Sequence, residues 1–289
     1  MDGTTQVYAV LGQPVHHSRS PEIQNAAFRA AGMNAVYVAL EVPAPRLKQA
    51  LDGLHAARVL GLNLTAPHKE SAFALARECT PEGNDARAVN TLRWEPGGWR
   101  GHATDGVGFL AWVSEVGDDL SGKRILLLGA GGAVRSIITP LITLRPESIH
   151  VVSRRADRAG SLARGTAGSL ARGTEEYQIP VTSAALVDTG GGGSNVEGKG
   201  WHVIIRALSV EAVSDEEERW WRGHEKGALV FDLNYGSRAT DARAHARAHG
   251  LRYEDGGALL IHQGAASFEF WTGRKADRDA MREALRAAG

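Results

Sequence analysis

The chain is almost without cysteine, without net charge and without a long apolar run. Cys79 is the single cysteine, which excludes an intramolecular disulfide framework and fits a reducing cytoplasm. No catalytic signature surrounds it, so it reads as an ordinary thiol. Lysine and arginine number 33, as do aspartate and glutamate. There is no basic excess to attract nucleic acid or an anionic membrane surface. The most apolar stretch, residues 125–134, is too short to span a bilayer and carries three glycines. The opening residues lack the basic and apolar regions of a secretory signal. A cytoplasmic chain with neither nucleic-acid nor membrane partner is therefore expected. What is present is 289 residues, 43% hydrophobic and 23% charged. That composition can bury a core, and the length suits two domains.

The first hundred residues alternate short β-type runs with helical stretches. Val7-Tyr8-Ala9-Val10-Leu11 reads as a strand ended by Gly12 and Pro14. A helix over 21–31 follows, with Ser20 expected as its N-cap and Pro21 at its first position. Strands near 35–42 and 60–64 flank a helix over 45–56, and the alternation predicts βαβ units in a mostly parallel sheet. A second alternating region starts near residue 106. A short tandem repeat over 160–174 and the glycine run 190–193 read as local duplication and a flexible connection. Helical segments over 258–271 and 277–288 are expected to return and pack on the first domain.

Arg124-Ile125-Leu126-Leu127-Leu128 is continuous and apolar, as a strand buried on both faces must be. It runs into Gly129-Ala130-Gly131-Gly132-Ala133 and then a helix to about residue 144. In that setting a glycine-rich turn lets a diphosphate approach the backbone and the helix N-terminus. The next strand ends at Ser153-Arg154-Arg155, with no acid before Asp157. An NAD site needs a carboxylate there for the ribose hydroxyl; two arginines suit the 2′-phosphate of NADP.

Three further clusters fall at strand ends, where open α/β sheets place ligands. They are Gly12-Gln13-Pro14-Val15-His16-His17-Ser18-Arg19-Ser20-Pro21, then Asn63-Leu64-Thr65-Ala66-Pro67-His68-Lys69, then Asn90-Thr91 with Thr104-Asp105-Gly106. Taken singly, Ser20 is a helix cap, Lys69 a solvated charge and Asp105 another cap. Together with Phe231-Asp232-Leu233-Asn234-Tyr235 and Gln263-Gly264-Ala265-Ala266, their order and spacing resemble the shikimate dehydrogenase family from about residue 7 to residue 273.

The resemblance implies an α/β chain with an N-terminal open βαβ substrate domain and a Rossmann-type dinucleotide-binding domain. Residues 1–105 and 256–289 would form the former and 106–255 the latter. It implies NADP-dependent, reversible reduction of 3-dehydroshikimate to shikimate, in the pathway of aromatic amino acid biosynthesis. Lys69 and Asp105 would be the catalytic pair. Ser18, Ser20, Thr65 and Tyr235 would hold the substrate carboxylate, with Asn90 and Gln263 on the ring hydroxyls. Gly129, Ala130, Gly131, Gly132, Ala133, Ser153, Arg154 and Arg155 would bind NADP, with Leu233 and Gly256 beside the nicotinamide. The assembly expected is a monomer or homodimer.

The chain also departs from the family pattern. Arg206-Ala207-Leu208-Ser209 stands where the family has Asn-Ala-Thr-Ser, which predicts two lost polar cofactor contacts and a bulky cation in the cofactor wall. A quinate or modified (amino-shikimate type) substrate, a weakened enzyme or a non-catalytic binding protein are the alternatives this leaves. No metal is expected. His245 and His249 share a helical face, and His16 adjoins His17, yet no Glu or Cys pattern in the sequence completes either set.

Overall fold

The computed structural model describes residues 1–170, 179–186 and 200–288. The glycine run 190–193 and residues 171–174 of the tandem repeat lie outside them. The chain forms two compact units, Met1–Glu115 with Leu259–Gly289, and Val116–Ala258.

The first unit opens with β1 (Gln6–Gly12), α1 (Ser20–Ala30), β2 (Ala35–Glu41), α2 (Leu47–Ala56), β3 (Gly61–Leu64), α3 (Lys69–Leu75), β4 (Glu78–Cys79), α4 (Pro81–Ala86), β5 (Thr91–Glu95), β6 (Gly98–His102) and α5 (Thr104–Val116). Its six strands run in the order β2-β1-β3-β5-β6-β4. β1 lies parallel to β2 and β3, but β5 is antiparallel to both β3 and β6. The sheet is thus less parallel than the alternation of elements predicts. Pro96-Gly97 turns the chain straight back between β5 and β6, so no helix intervenes there. The apolar faces of β1, β3 and β5 close over α2, with Leu11, Leu47, Leu51, Leu62, Leu64, Leu92 and Trp99 in one core.

The second unit contains β7 (Arg124–Leu128), α6 (Gly132–Thr143), β8 (Ser148–Ser153), α7 (Ala156–Leu170), β9 (Val181–Ala185), β10 (Trp201–Arg206), α8 (Asp215–Trp221), β11 (His224–Asp232), α9 (Thr240–Ala248) and β12 (Arg252–Asp255). Its sheet is wholly parallel, in the order β12-β11-β10-β7-β8-β9. That is the doubly wound arrangement whose strand order reverses beside the first strand, leaving a crevice at the carboxyl ends of β7 and β10. β7 and β10 are buried along nearly their full lengths, which is why they are Leu- and Ile-rich rather than alternating.

The chain then returns through α10 (Gly257–Thr272) and α11 (Arg278–Ala287). Trp271 of α10 donates its indole N–H to the Leu92 carbonyl at 3.0 Å, and α11 packs against α1. The seams between units fall at the end of α5 and the start of α10, later than the 105/106 and 255/256 positions expected. A helix packs as one body, so nearly all of α5 stays with the first unit. Helix α1 also starts one residue earlier than expected. Ser20 is its first residue, not its N-cap, and Arg19 in the cap position makes no side-chain capping bond.

Candidate active site

In the first unit the polar clusters converge because the ends of β3 and β6 and the start of β5 are neighbours. β3 ends at Leu64, whose N–H donates to the Asn90 carbonyl at 2.9 Å. The turn after it carries Thr65 and leads into α3, whose first residue is Lys69. Val89 N–H donates to the Lys69 carbonyl, tying the start of that helix to the segment that carries Asn90 into β5. α5 begins at Thr104 and places Asp105 in its first turn.

Lys69 Nζ donates to Asp105 Oδ2 at 2.7 Å, with the two side chains 15% and 10% exposed. Asn90 Nδ2 donates to Asp105 Oδ1 at 2.9 Å. The Asn90 amide is itself oriented, because the Thr104 N–H donates to its Oδ1 at 2.7 Å. Gln263 of α10 closes the group, with Oε1 accepting from Asn90 Nδ2 at 3.4 Å. Both carboxylate oxygens of Asp105 are therefore held, while the ammonium keeps two more hydrogens with which to act.

Beneath these lies a buried polar layer that the sequence does not announce. Asn63, Thr91, Thr104 and Ser267 exchange hydrogen bonds at 2.8–3.1 Å. Tyr37 Oη donates to Asn63 Oδ1 at 2.7 Å. Fully bonded, such a layer rigidifies what stands on it. One signal for it is present: Gln263 and Ser267 are four apart in a mostly apolar helix, so they share a face.

Thr65 sits beside the loop after β1. Its N–H donates to the Leu11 carbonyl at 2.9 Å, and Gln13 N–H donates to the Ala66 carbonyl at 3.1 Å. That loop continues to Ser18, whose hydroxyl accepts from the Ser20 N–H at 3.3 Å. His68 is buried with Nε2 2.8 Å from the Val42 carbonyl; burial pulls its pKa down more than that bond raises it, keeping the ring neutral. Burial pushes the Cys79 thiol up, which suits an unreactive side chain.

The second unit holds the glycine turn. Gly129 has φ +124°, and a Cβ there would lie 2.7 Å from the Ala207 carbonyl oxygen, so only glycine lets the β7–α6 turn approach the end of β10. Gly131 precedes α6, and a Cβ at Gly131 would meet nothing within 4 Å. Open space beside a glycine at a helix N-terminus fits a diphosphate. β8 ends at Ser153, which is buried and accepts from the Arg155 N–H at 3.3 Å. Arg154 is exposed, whereas Arg155 lies in an exposed pair with Asp157 at 3.3 Å. Gly256 repeats the close-approach logic. A Cβ there would lie 2.4 Å from the Leu233 carbonyl oxygen, and its N–H donates to the Asn234 carbonyl. Tyr235 belongs to this unit, whereas Ser18, Ser20 and Thr65 belong to the first.

A model of the shikimate dehydrogenase substrate binding domain matches residues 10–92, and one of the shikimate 5′-dehydrogenase C-terminal domain matches residues 259–286. The NADP(+) shikimate dehydrogenase of Anaeromyxobacter sp. (strain K) is 37% identical over 285 residues, covering 99% of this chain and 97% of that one. This chain belongs to the shikimate dehydrogenase family. The crystal structure of shikimate dehydrogenase from Aquifex aeolicus superposes with a TM-score of 0.84 at 31% identity, covering 99% of both chains. The Thermus thermophilus enzyme, solved in complex with NADP(H) and shikimate, gives 0.79 at 29% identity, covering 98% of this chain and 100% of that one.

Against that family pattern, the expected cation in the cofactor wall is not there. Arg206 turns inward and is wholly buried. Its Nε donates to Glu217 Oε1 at 2.7 Å and its Nη1 to Asp232 Oδ2 at 3.3 Å. Its Nη2 reaches the Val210 carbonyl at 3.0 Å and that of Ala212 at 3.4 Å. Burial alone would lower the guanidinium pKa, but the bond to Glu217 and the charges of Glu217 and Asp232 outweigh it and raise it. Leu208 packs against the apolar core of the second unit. Physical chemistry accounts for the correction: two buried carboxylates attract a buried guanidinium more strongly than an open crevice does.

Proposed function

We propose that this chain catalyses the NADP-dependent, reversible reduction of 3-dehydroshikimate to shikimate. The observation that carries the reading is the Lys69–Asp105 pair at 2.7 Å, with Asn90 on the second carboxylate oxygen. When bound, NADPH would supply hydride to the ring ketone carbon. Lys69 Nζ gives a proton to the carbonyl oxygen as that carbon is reduced, so ketone, hydride and proton become the secondary alcohol. In the oxidative direction the same nitrogen takes the proton back. Asp105 holds the ammonium toward the substrate and accepts from the neighbouring hydroxyl. Asn90 and Gln263 bind ring hydroxyls, while Ser18, Ser20, Thr65 and Tyr235 bind the carboxylate. Ser18 and Ser20, both small, favour shikimate over quinate.

The glycine turn at 129–133 and Arg154 fit a dinucleotide carrying a 2′-phosphate. Ser153 shapes the strand end, Arg155 can join Arg154 on leaving Asp157, and Leu233 and Gly256 form the nicotinamide side. A non-catalytic binding protein would have found support in a cation intruding on the cofactor; the burial of Arg206 removes it. Steady-state oxidation of NADPH with 3-dehydroshikimate tests the reading directly. Turnover faster with shikimate and NADP than with quinate or NAD is the expected result. Ligand binding without turnover would overturn it.

A further inference from the structure

The outer surface of the second unit gathers three groups that lie far apart in the sequence. His245 lies on α9 and His249, one turn later, caps its C-terminus, their rings stacked at 4.6 Å and 28°. Glu218 of α8 brings Oε1 to 3.7 Å from His249 Nε2 and 4.0 Å from His245 Nε2. The two histidines alone predict no metal because no third ligand follows them; the fold supplies it from the preceding helix. All three potential ligand atoms lie within 4.8 Å of one another.

The state of each ring suits coordination. His249 Nδ1 is 3.0 Å from the His245 carbonyl. A proton placed there leaves Nε2 with a lone pair facing Glu218. His245 Nε2 is buried and has no hydrogen-bond partner among the described residues, an uncommon condition for a polar atom. Trp221 sits edge-on to that ring at 5.4 Å and fixes its plane. Separations of 3.7 and 4.0 Å are too long for hydrogen bonds. They are close to the ~3.3 Å between donors around a tetrahedral ion bound at about 2.0–2.1 Å. Glu218 Oε1 also accepts from Arg222 at 3.1 Å, and the second carboxylate oxygen can take over that bond.

We propose that Glu218, His245 and His249 form a site for one divalent transition-metal ion, zinc by its two-imidazole, one-carboxylate donor set, that fastens α8 to α9. The three side chains are half-buried, which leaves a fourth position for water; the His224 ring centroid lies 6.4 Å from that of His249. Glu217, next to Glu218, bonds the buried Arg206, so an ion here secures the helix that closes that network. The site is independent of the dehydrogenase reading and needs no turnover for its test.

The whole chain, stripped with EDTA and dialysed, is titrated with zinc chloride by calorimetry at neutral pH. One ion per chain should bind, and saturating zinc should raise Tm by about 3 °C or more, reversed by EDTA. His249→Gln and Glu218→Gln spare the His245–Trp221 packing. Each should weaken zinc binding at least about tenfold and leave the metal-free Tm within about 1 °C. No zinc binding by the native chain, or native affinity in both variants, would overturn the site. X-ray absorption on the zinc-loaded native chain decides the matter even if a variant misfolds. Two imidazoles with oxygen support the assignment, and a sulfur shell from Cys79 or a single imidazole refutes it.

Discussion

Each unit of the molecule holds a cation against carboxylate, and the two do it in opposite ways. In the first, Lys69 meets Asp105 at a surface that leaves both partly accessible. In the second, Arg206 meets Glu217 and Asp232 with all three side chains at 0–1% exposure. Lys69 keeps donors to spare and a compact, mobile charge, which suits proton transfer. The fork of Arg206 is used up on two carboxylates and the carbonyls of the loop that follows β10. That leaves nothing for a ligand. One pair is arranged to act on something; the other holds a loop and a strand end in place. Asp232 extends the second arrangement, because its Oδ1 accepts from the Asn234 N–H and Nδ2, and Nδ2 also donates to the Leu208 carbonyl.

The sharpest way to break the contrast is to delete each cation. Lys69→Ala should lower kcat by about 10³-fold, within the range for losing general acid catalysis, and leave KM for shikimate and Tm nearly unchanged. Stopped turnover with a large fall in Tm would mean that Lys69 is structural.

Arg206→Leu should do the reverse. Removing one partner of a buried ion group costs about 3–5 kcal/mol, because Glu217 and Asp232 are left without their counter-charge. The pKa of both carboxyls is already raised by burial, against the pull of Arg206. With the guanidinium gone they bind protons more readily still, so the loss of Tm should be smaller at pH 5 than at pH 7. An unchanged Tm, or a loss that grows in acid, would contradict the assignment.

These two cations were unequally legible in the sequence. Lys69 and Asp105 lie 36 residues apart, and only the order of the surrounding motifs joins them. The β7 strand and its glycine turn were readable because double burial and a close backbone approach leave strict compositional marks. Arg206 was misassigned for a physical reason: arginine is rarely fully buried, and its partners come from α8 and β11. A mark of α8 was nonetheless present. Ser214 and Glu217 have the spacing of a capping box, and Ser214 Oγ does accept from the Glu217 N–H. The Glu217 carboxylate bonds Arg206 instead of completing the box. The polar layer under Asp105 was equally hidden, because Asn63, Thr91 and Thr104 look like ordinary strand and cap residues until β3, β5 and α5 meet.

A further buried titratable group of the second unit, His150, sharpens the contrast through acid. His150 packs against Trp201 and Trp220 with Nδ1 2.6 Å from Thr182 Oγ1, and burial lowers its pKa to about 4. The unfolded chain takes up this proton below the ordinary 6.5, whereas the folded chain does so only near 4. Stability present above 6.5 is therefore lost as pH falls through that window, by about 3 kcal/mol in full. Glu217 and Asp232 push the other way, so the informative quantity is native minus His150→Phe. That difference in unfolding free energy should change across pH 6.5 to 4; a constant difference would show that His150 titrates normally.

The smallest effect concerns the arginines of the second unit assigned to meet a ligand, Arg154 first. Arg154 stands in solvent just beyond the end of β8, where a 2′-phosphate would lie. Its charge is screened, and a phosphate there could also draw Arg155 away from Asp157, since an exposed pair of that kind holds only weakly. Arg154→Ala should accordingly raise KM for NADP about tenfold while leaving that for NAD within about twofold, and added salt should shrink the gap. Arg155→Ala should give a smaller shift of the same sign. Equal weakening of both cofactors in Arg154→Ala would mean that the guanidinium supports the strand end and does not read the phosphate. Selectivity would then have to come from the Ser153 backbone and the glycine turn, neither of which distinguishes a phosphate from a hydroxyl by charge.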